Sequence, residues 1–188
     1  QMDKLQEPEQ AQGGIQKNEG LSEEAQQTMS GYTNIALFGL DTREAGQLGK
    51  GNRSDTMIIA SINNDTKEVK LVSVYRDTYL DRTDGNYNKA NGAYSSGGPE
   101  QAINMLNRNL DLDIEYYVSV DFAALTETVD LLGGIMIDVD EAEIEHLNNY
   151  TVETSEVTGV KTEKLTQTGY QLLDGVQATS YCRIRYTA

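Results

Sequence analysis

Cysteine occurs once, at Cys182, so no disulfide can close within the chain and no cysteine-rich metal centre can be built; a lone thiol reads as buried packing. Histidine also occurs once. His146 lies in an acidic, polar stretch with no second group to orient it, which leaves Ser-His-Asp or Cys-His catalysis with little support. Positive charge is scarce, with 15 basic against 30 acidic residues and a formal net charge of −15. Such a field repels nucleic acid and anionic membrane alike, and no helix-turn-helix, zinc-finger or RNA-binding signature offsets it, so nucleic acid is excluded as a partner. A phosphate-bearing ligand must therefore be met by a local basic pocket. No apolar run reaches the roughly eighteen residues that mark a membrane span. Gly46 and Gly51 have the spacing of a phosphate-binding P-loop, but Asn52-Arg53 stand where its lysine and metal-binding hydroxyl belong, so that mechanism is absent too.

What is present fits one domain with a single core, about 150 residues long, behind a polar leader. Residues 1–31 scatter a few apolar positions among Gln, Glu and Gly13-Gly14, a composition that cannot offset its ordering entropy. They read as a flexible leader, with a transient helix over 21–29 capped by Ser22. Residues 34–40 form an apolar run expected to be a central strand buried on both faces. Residues 44–52, with three glycines, read as a mobile loop. Residues 78–98 are polar and turn-rich, and read as a long connection covering a site. Pro99 then opens a helix whose Ala102, Ile103, Leu106 and Leu110 share a face. Tyr116–Val120 reads as a strand, and Asp121 as the cap of a helix stopped by Gly133-Gly134. Ile135–Val139 alternates as a further strand. The acidic stretch 140–164 reads as a solvated surface excursion, and 168–175 as a short helix ending at Gly175.

The chemistry concentrates in a hairpin. Runs 57–62 and 69–75 are rich in β-branched residues, and Asn63-Asn64-Asp65-Thr66 supplies turn chemistry for antiparallel pairing. That pairing brings the start of the first strand beside the end of the second, and so Arg53 and Asp55 beside Arg76 and Asp77. Either these are Arg–Asp pairs capping strand ends or they face a ligand, and the four residues by themselves leave both open. Near the C-terminus, Arg183 and Arg185 share a face if residues 178–186 are a strand, and diverge if they are helical. Two parallel guanidiniums would suit a diphosphate.

Seven motifs then occur in one order: Phe38-Gly39-Leu40-Asp41, Arg53-Ser54-Asp55-Thr56, Ser73-Val74-Tyr75-Arg76-Asp77-Thr78, Lys89-Ala90-Asn91-Gly92-Ala93-Tyr94, Val129-Asp130-Leu131-Leu132-Gly133-Gly134, Leu173-Asp174-Gly175 and Tyr181-Cys182-Arg183-Ile184-Arg185. Together they resemble the LytR-CpsA-Psr (LCP) family over residues 33–186. The resemblance implies an α/β (mixed α+β) fold, with a central mixed β-sheet flanked by helices on both sides and a hydrophobic pocket for a polyprenyl tail. It implies a leader over 1–31 and an LCP domain over 32–188 that lacks the family's C-terminal segment. It further implies a phosphotransferase on the outer face of the cytoplasmic membrane of a Gram-positive bacterium, held by a single-pass anchor absent from this chain. Such an enzyme moves a polyprenyl-pyrophosphate-linked glycopolymer, such as teichoic acid or capsule, to a peptidoglycan acceptor. By motif, Asp41 and Asp55 resemble the carboxylates that hold Mg2+ (or Mn2+), which suits an ion usually bound by one or two carboxylates plus substrate phosphates. Arg76, Asp77, Arg183 and Arg185 carry over as catalytic residues, and Arg53, with Arg43 and Lys89 as lesser candidates, as pyrophosphate contacts. Asp77 is either a base for the acceptor hydroxyl or a partner orienting Arg76. Tyr75 departs from the family pattern, which has proline before the arginine. The alternative function is a non-catalytic module that binds polyprenyl phosphate or wall glycan; a metal facing an arginine cluster favours the enzyme.

Overall fold

The computed structural model describes residues 14–16, 18, 20–42 and 46–185. The chain divides into two compact units, residues 1–41 with 48–119 and residues 42–47 with 120–188. Each unit buries its own apolar cluster, which replaces the single core expected from length. Among the described residues no helix is long and apolar enough to cross a membrane.

In the first unit, helix α1 (Glu23–Met29) forms where expected, with the Ser22 hydroxyl accepting from the Ala25 amide. A four-stranded sheet follows, in the order β3 (Val69–Ser73), β2 (Ser54–Asn63), β1 (Tyr32–Leu40) and β6 (Tyr116–Val120). β1 pairs antiparallel with β2, and β2 with β3. The turn between them is fixed by Asn63, whose side-chain oxygen accepts from the amides of Asp65 and Thr66. β1 is not buried on both faces: Asn34, Ala36, Phe38 and Leu40 are buried, while Ile35 and Leu37 between them are half-exposed. Period-two alternation places those two sets on opposite sides of the sheet.

Helix α2 (Asn91–Leu110) packs on the buried side, where Phe38 meets Tyr94 edge-on at 5.2 Å between ring centroids. The Tyr94 hydroxyl bonds the Leu48 carbonyl and the Ser119 hydroxyl, each at 2.8 Å, so the ring is buried without stranding its polar tip. α2 breaks at Gly98 (φ 76°, ψ −163°), so Pro99 does open a helical segment, but seven residues of helix precede it. The rest of the expected long connection is a hairpin of β4 (Tyr79–Asp81) and β5 (Tyr87–Lys89). Leu80 packs into the core, and Asn109 of α2 bonds both the amide and the carbonyl of Asp81. The leader is not featureless either: Asn104 accepts from the Gln16 amide at 2.7 Å and donates to the Gly14 carbonyl at 2.8 Å, while Ile15 packs on the core.

The second unit holds α3 (Phe122–Leu131), β7 (Ile135–Val139), α4 (Glu141–Thr158), β8 (Gly169–Leu173) and α5 (Gly175–Tyr181). Asp121 caps α3 as expected, its carboxylate accepting from the Ala124 amide and also from the Gly46 amide, both at 2.8 Å. That second bond ties part of the glycine loop that reads as mobile. β7 and β8 form an antiparallel pair. Two expectations fail here. The acidic stretch after Asp140 is an 18-residue helix, opened by a reciprocal Asp140–Glu143 capping box and closed by Gly159 in the left-handed region. Residues 169–173 are a strand, and Gly175 starts a helix capped by Asp174 instead of ending one. α5 lies so close to α3 that a Cβ on Gly175 would stand 2.1 Å from the Thr126 carbonyl oxygen.

Candidate functional site

At one end of the first unit's sheet, the ends of β1 and β3 and the start of β2 converge. The register shifts at Gly39/Leu40, and the Asp41 amide donates to the Arg53 carbonyl at 3.3 Å. This sets Asp41, just past the end of β1, beside the start of β2, which carries Asp55. From the other side the Val74 amide donates to the Met57 carbonyl at 2.9 Å, which carries Arg76 to the same end. The segment after β3 is then fastened to the start of α2: the Asn91 amide donates to the Arg76 carbonyl and the Ala90 amide to the Thr78 carbonyl. The hairpin expectation holds, and Arg76 Nη1 pairs with Asp55 Oδ2.

Around this junction lies a cleft of about 400 Å³, lined by Arg53, Arg76, Arg82 and Lys89, with Asp77 as its carboxylate and Gly92 and Ser95 of α2 on its wall. In a chain of net charge −15 this is a local concentration of positive charge. Arg82 was not singled out by sequence. Its side chain is only 12% exposed, is paired with Asp84 at 3.0 Å and reaches the Ser96 hydroxyl. Gly92 leaves room for it, since a Cβ there would come within 2.9 Å of Arg82 Nη1. The usable signal was a further arginine six positions after Arg76, in a stretch read as a long connection.

The partner that orients Arg76 is Asp55, not Asp77. Asp77 pairs instead with Lys89 at 2.8 Å. The hydrogen bond from Lys89 holds its carboxyl below the ordinary carboxylate value, against a smaller opposing effect of desolvation and with help from the charges of Lys89 and Arg76. A carboxylate held ionised in this way is a weaker proton acceptor.

Two carboxylates do not make a metal cage, and among the described residues no three or more His, Cys, Asp or Glu side chains gather for one. They do fit an ion that completes its shell with substrate phosphate oxygens. Asp55 Oδ1 is buried without a hydrogen-bond partner, an acceptor left open beside the cationic cleft. Oxygen is the ligand type that magnesium and manganese take, so this open Asp55 acceptor fits the implied ion.

Arg183 and Arg185 belong to the second unit, in a turn after α5 that is neither the strand nor the helix considered from sequence. Arg183 is held there: it donates to Glu153 at 2.7 Å and to the Thr154 hydroxyl at 3.0 Å, and its guanidinium lies 4.9 Å from the ring centroids of both Phe122 and Tyr150. Arg185 is exposed and donates to the carbonyls of Cys182 and Ile184. Cys182 is exposed, which corrects its reading as buried packing. Arg43 lies outside the described residues.

A model described as the LytR_cpsA_psr family matches residues 3–188. A protein of Enterococcus faecalis named polyisoprenyl-teichoic acid–peptidoglycan teichoic acid transferase TagU is 36% identical over 159 residues, 81% of this chain and 45% of that protein. The chain spans about half the length of the curated relatives it matches. Among solved structures, TagT bound to LIIa-WTA matches with a TM-score of 0.66 and 25% identity, over 85% of this chain and 56% of that one. YwtF (TagT) with bound octaprenyl pyrophosphate lipid matches with a TM-score of 0.64 and 26% identity, over 82% of this chain and 57% of that one.

Proposed function

The chain belongs to the LytR_cpsA_psr family, and from that membership we propose that its first-unit cleft grips the pyrophosphate of a polyprenyl-linked glycopolymer and that the protein transfers the polymer to peptidoglycan. The observation that carries this reading is the cleft itself, which brings Arg53, Arg76, Arg82 and Lys89 together, with Asp55, Asp84 and Asp77 pairing with the last three. The chain's likeness to a structure holding octaprenyl pyrophosphate and to one holding wall teichoic acid supports the same ligand class.

In the reaction, a hydroxyl of the acceptor glycan attacks the phosphorus that bears the sugar. A new P–O bond forms, the bridging P–O bond breaks, and polyprenyl monophosphate leaves with the bridging oxygen, while the hydroxyl proton passes to solvent. Protein groups stabilise the charge on the transferring phosphoryl group and on the leaving phosphate, where positioning and electrostatics supply most of the catalysis. Arg76, steered by Asp55, and Arg53 take that part. Lys89, steered by Asp77, is a third contact, and Asp77 acts by positioning it. Arg183 and Arg185 are kept as proposed phosphate contacts on the strength of their motif alone. Asp41 and Asp55 would hold the divalent cation, which when bound offsets pyrophosphate charge. The prenyl tail is assigned to the sheet face opposite α2, where register aligns Ile35, Leu37, Ile58 and Ile62 with exposed Leu71 and Val69. We place the protein on the wall side of the cytoplasmic membrane.

The test is binding of a short-chain polyprenyl pyrophosphate, with and without magnesium, to the chain and to an Asp41→Asn/Asp55→Asn variant. Binding that magnesium strengthens, with the strengthening lost in the variant, is the expected result. Tight binding indifferent to metal and mutation would instead make this a tail-binding module.

A further inference from the structure

We infer that Tyr79 and Tyr87, on the outer face of the β4–β5 hairpin, form a stacking platform for the first pyranose rings of the polymer attached to the pyrophosphate. The inference rests on the pyrophosphate reading of the neighbouring cleft.

Antiparallel register sets Tyr79 opposite Lys89 and Asp81 opposite Tyr87, so alternation puts Tyr79, Tyr87 and Lys89 on one face and Leu80 on the other. The two rings stack at 5.9 Å between centroids, with planes 29° apart. Yet they stay 70% and 61% exposed. Aromatic side chains contribute most when their large surface leaves water, so two rings left in solvent on one hairpin face call for an explanation.

Stapling the short hairpin is the plainest one, because diagonal aromatic pairs stabilise such strands. Other groups already hold this hairpin in place. Leu80 packs against the core, Asn109 bonds both backbone groups of Asp81, and Gln101 donates to the Arg82 carbonyl. The tyrosines are therefore available for a ligand, and their location says which. Lys89 lines the cationic cleft and is the cross-strand partner of Tyr79. Sugars bonded to a pyrophosphate in that cleft would leave it across this face. A pyranose ring offers C–H bonds on one side and hydroxyls at its edge, which suits the face of a phenol ring with a hydroxyl at its tip.

The experiment compares two lipids on the full chain: a short-chain polyprenyl pyrophosphate, bare or carrying an N-acetylhexosamine disaccharide. Tyr79→Thr/Tyr87→Thr keeps residues that favour strands while removing the rings. It should weaken the saccharide-bearing lipid roughly tenfold and leave the bare lipid within about twofold, and Tyr79→Trp/Tyr87→Trp should restore the loss. Equal weakening of both lipids would reduce the pair to a structural staple and overturn the inference. So would no weakening of either, or a loss confined to a soluble peptidoglycan glycan fragment, which would assign the rings to the acceptor. If the saccharide-bearing lipid binds through the tyrosines while the bare lipid binds neither protein, the platform stands and the pyrophosphate reading falls.

Discussion

Replacing Arg76 with Met separates what the residue does for the fold from what it does for a ligand. Arg76 and Asp55 form one ion pair, with side chains 41% and 24% exposed. Solvent screens a pair this open, so its loss costs at most about 1 kcal/mol. Asp55 Oδ1 is already buried without a partner, and removing the guanidinium leaves the rest of the carboxylate short of one, which adds about 1 kcal/mol. The melting temperature should fall by roughly 3–6 °C for a chain of this size. A charge-assisted bond to a phosphate is worth about 1.5–3 kcal/mol, so the affinity for a short-chain polyprenyl pyrophosphate should fall about 10- to 150-fold. Thermal melts beside titration calorimetry, without magnesium, read both quantities. Adding Asp55→Leu removes the stranded carboxylate and should recover the stability but not the binding. Collapse of the melt by more than about 10 °C with affinity unchanged, or recovery of binding in the double variant, would show that Arg76 serves only the fold.

Gly175→Ala should destabilise the second unit by about 3 kcal/mol or more, because the new methyl meets the Thr126 backbone, which cannot give way; an unchanged melt would refute the close approach of α5 to α3. Lys89→Met should return the Asp77 titration, followed by carboxyl carbon NMR, from below 3.8 toward that ordinary value. Because the folded value is depressed, the Asp77–Lys89 contact contributes above the unfolded carboxylate pKa and is lost as pH falls through the folded one, and the variant should lose that acid-side dependence. Asn104→Ala removes that residue's two bonds to the leader and should speed hydrogen exchange of the Gln16 amide roughly tenfold, with no such change at the Ile114 amide held by Asn107. Arg183→Met should cost about 2 kcal/mol of stability through the lost Glu153 pair and the two ring contacts, a loss that circular dichroism would register as an earlier melt.

The hairpin of β2 and β3 was legible because its strands are β-branched and joined by a turn with a named mechanism at Asn63. The cluster at its open end followed from register alone, down to Arg76 beside Asp55. α4 was missed because its inward face is built partly from Thr151 and Thr154, both buried, so the apolar stripe is thin. Local hydrogen bonding makes such threonines tolerable in the helix: the Thr151 and Thr158 hydroxyls bond carbonyls one turn back. The capping box at Asp140 and Glu143 was the signal available. The same box at Asp174 and Gln177 marks the start of α5, where Gly175 had been taken for an end. β4 and β5 span three residues each, too few for periodicity to register, so Arg82 and the tyrosine pair stayed hidden in what read as a connection. The family motifs named Arg53, Arg76 and Lys89 as pyrophosphate contacts or catalytic groups, and the cleft gathers all three.

The central claim is that this cleft holds the pyrophosphate, and a titration followed by NMR tests it directly. With a short-chain polyprenyl pyrophosphate added to chain labelled at arginine Nε, the account predicts that the phosphorus signals and the Arg53 and Arg76 resonances move together and saturate at one stoichiometric equivalent. Movement of the phosphorus signals while Arg53 and Arg76 stay fixed would place the ligand elsewhere and contradict it.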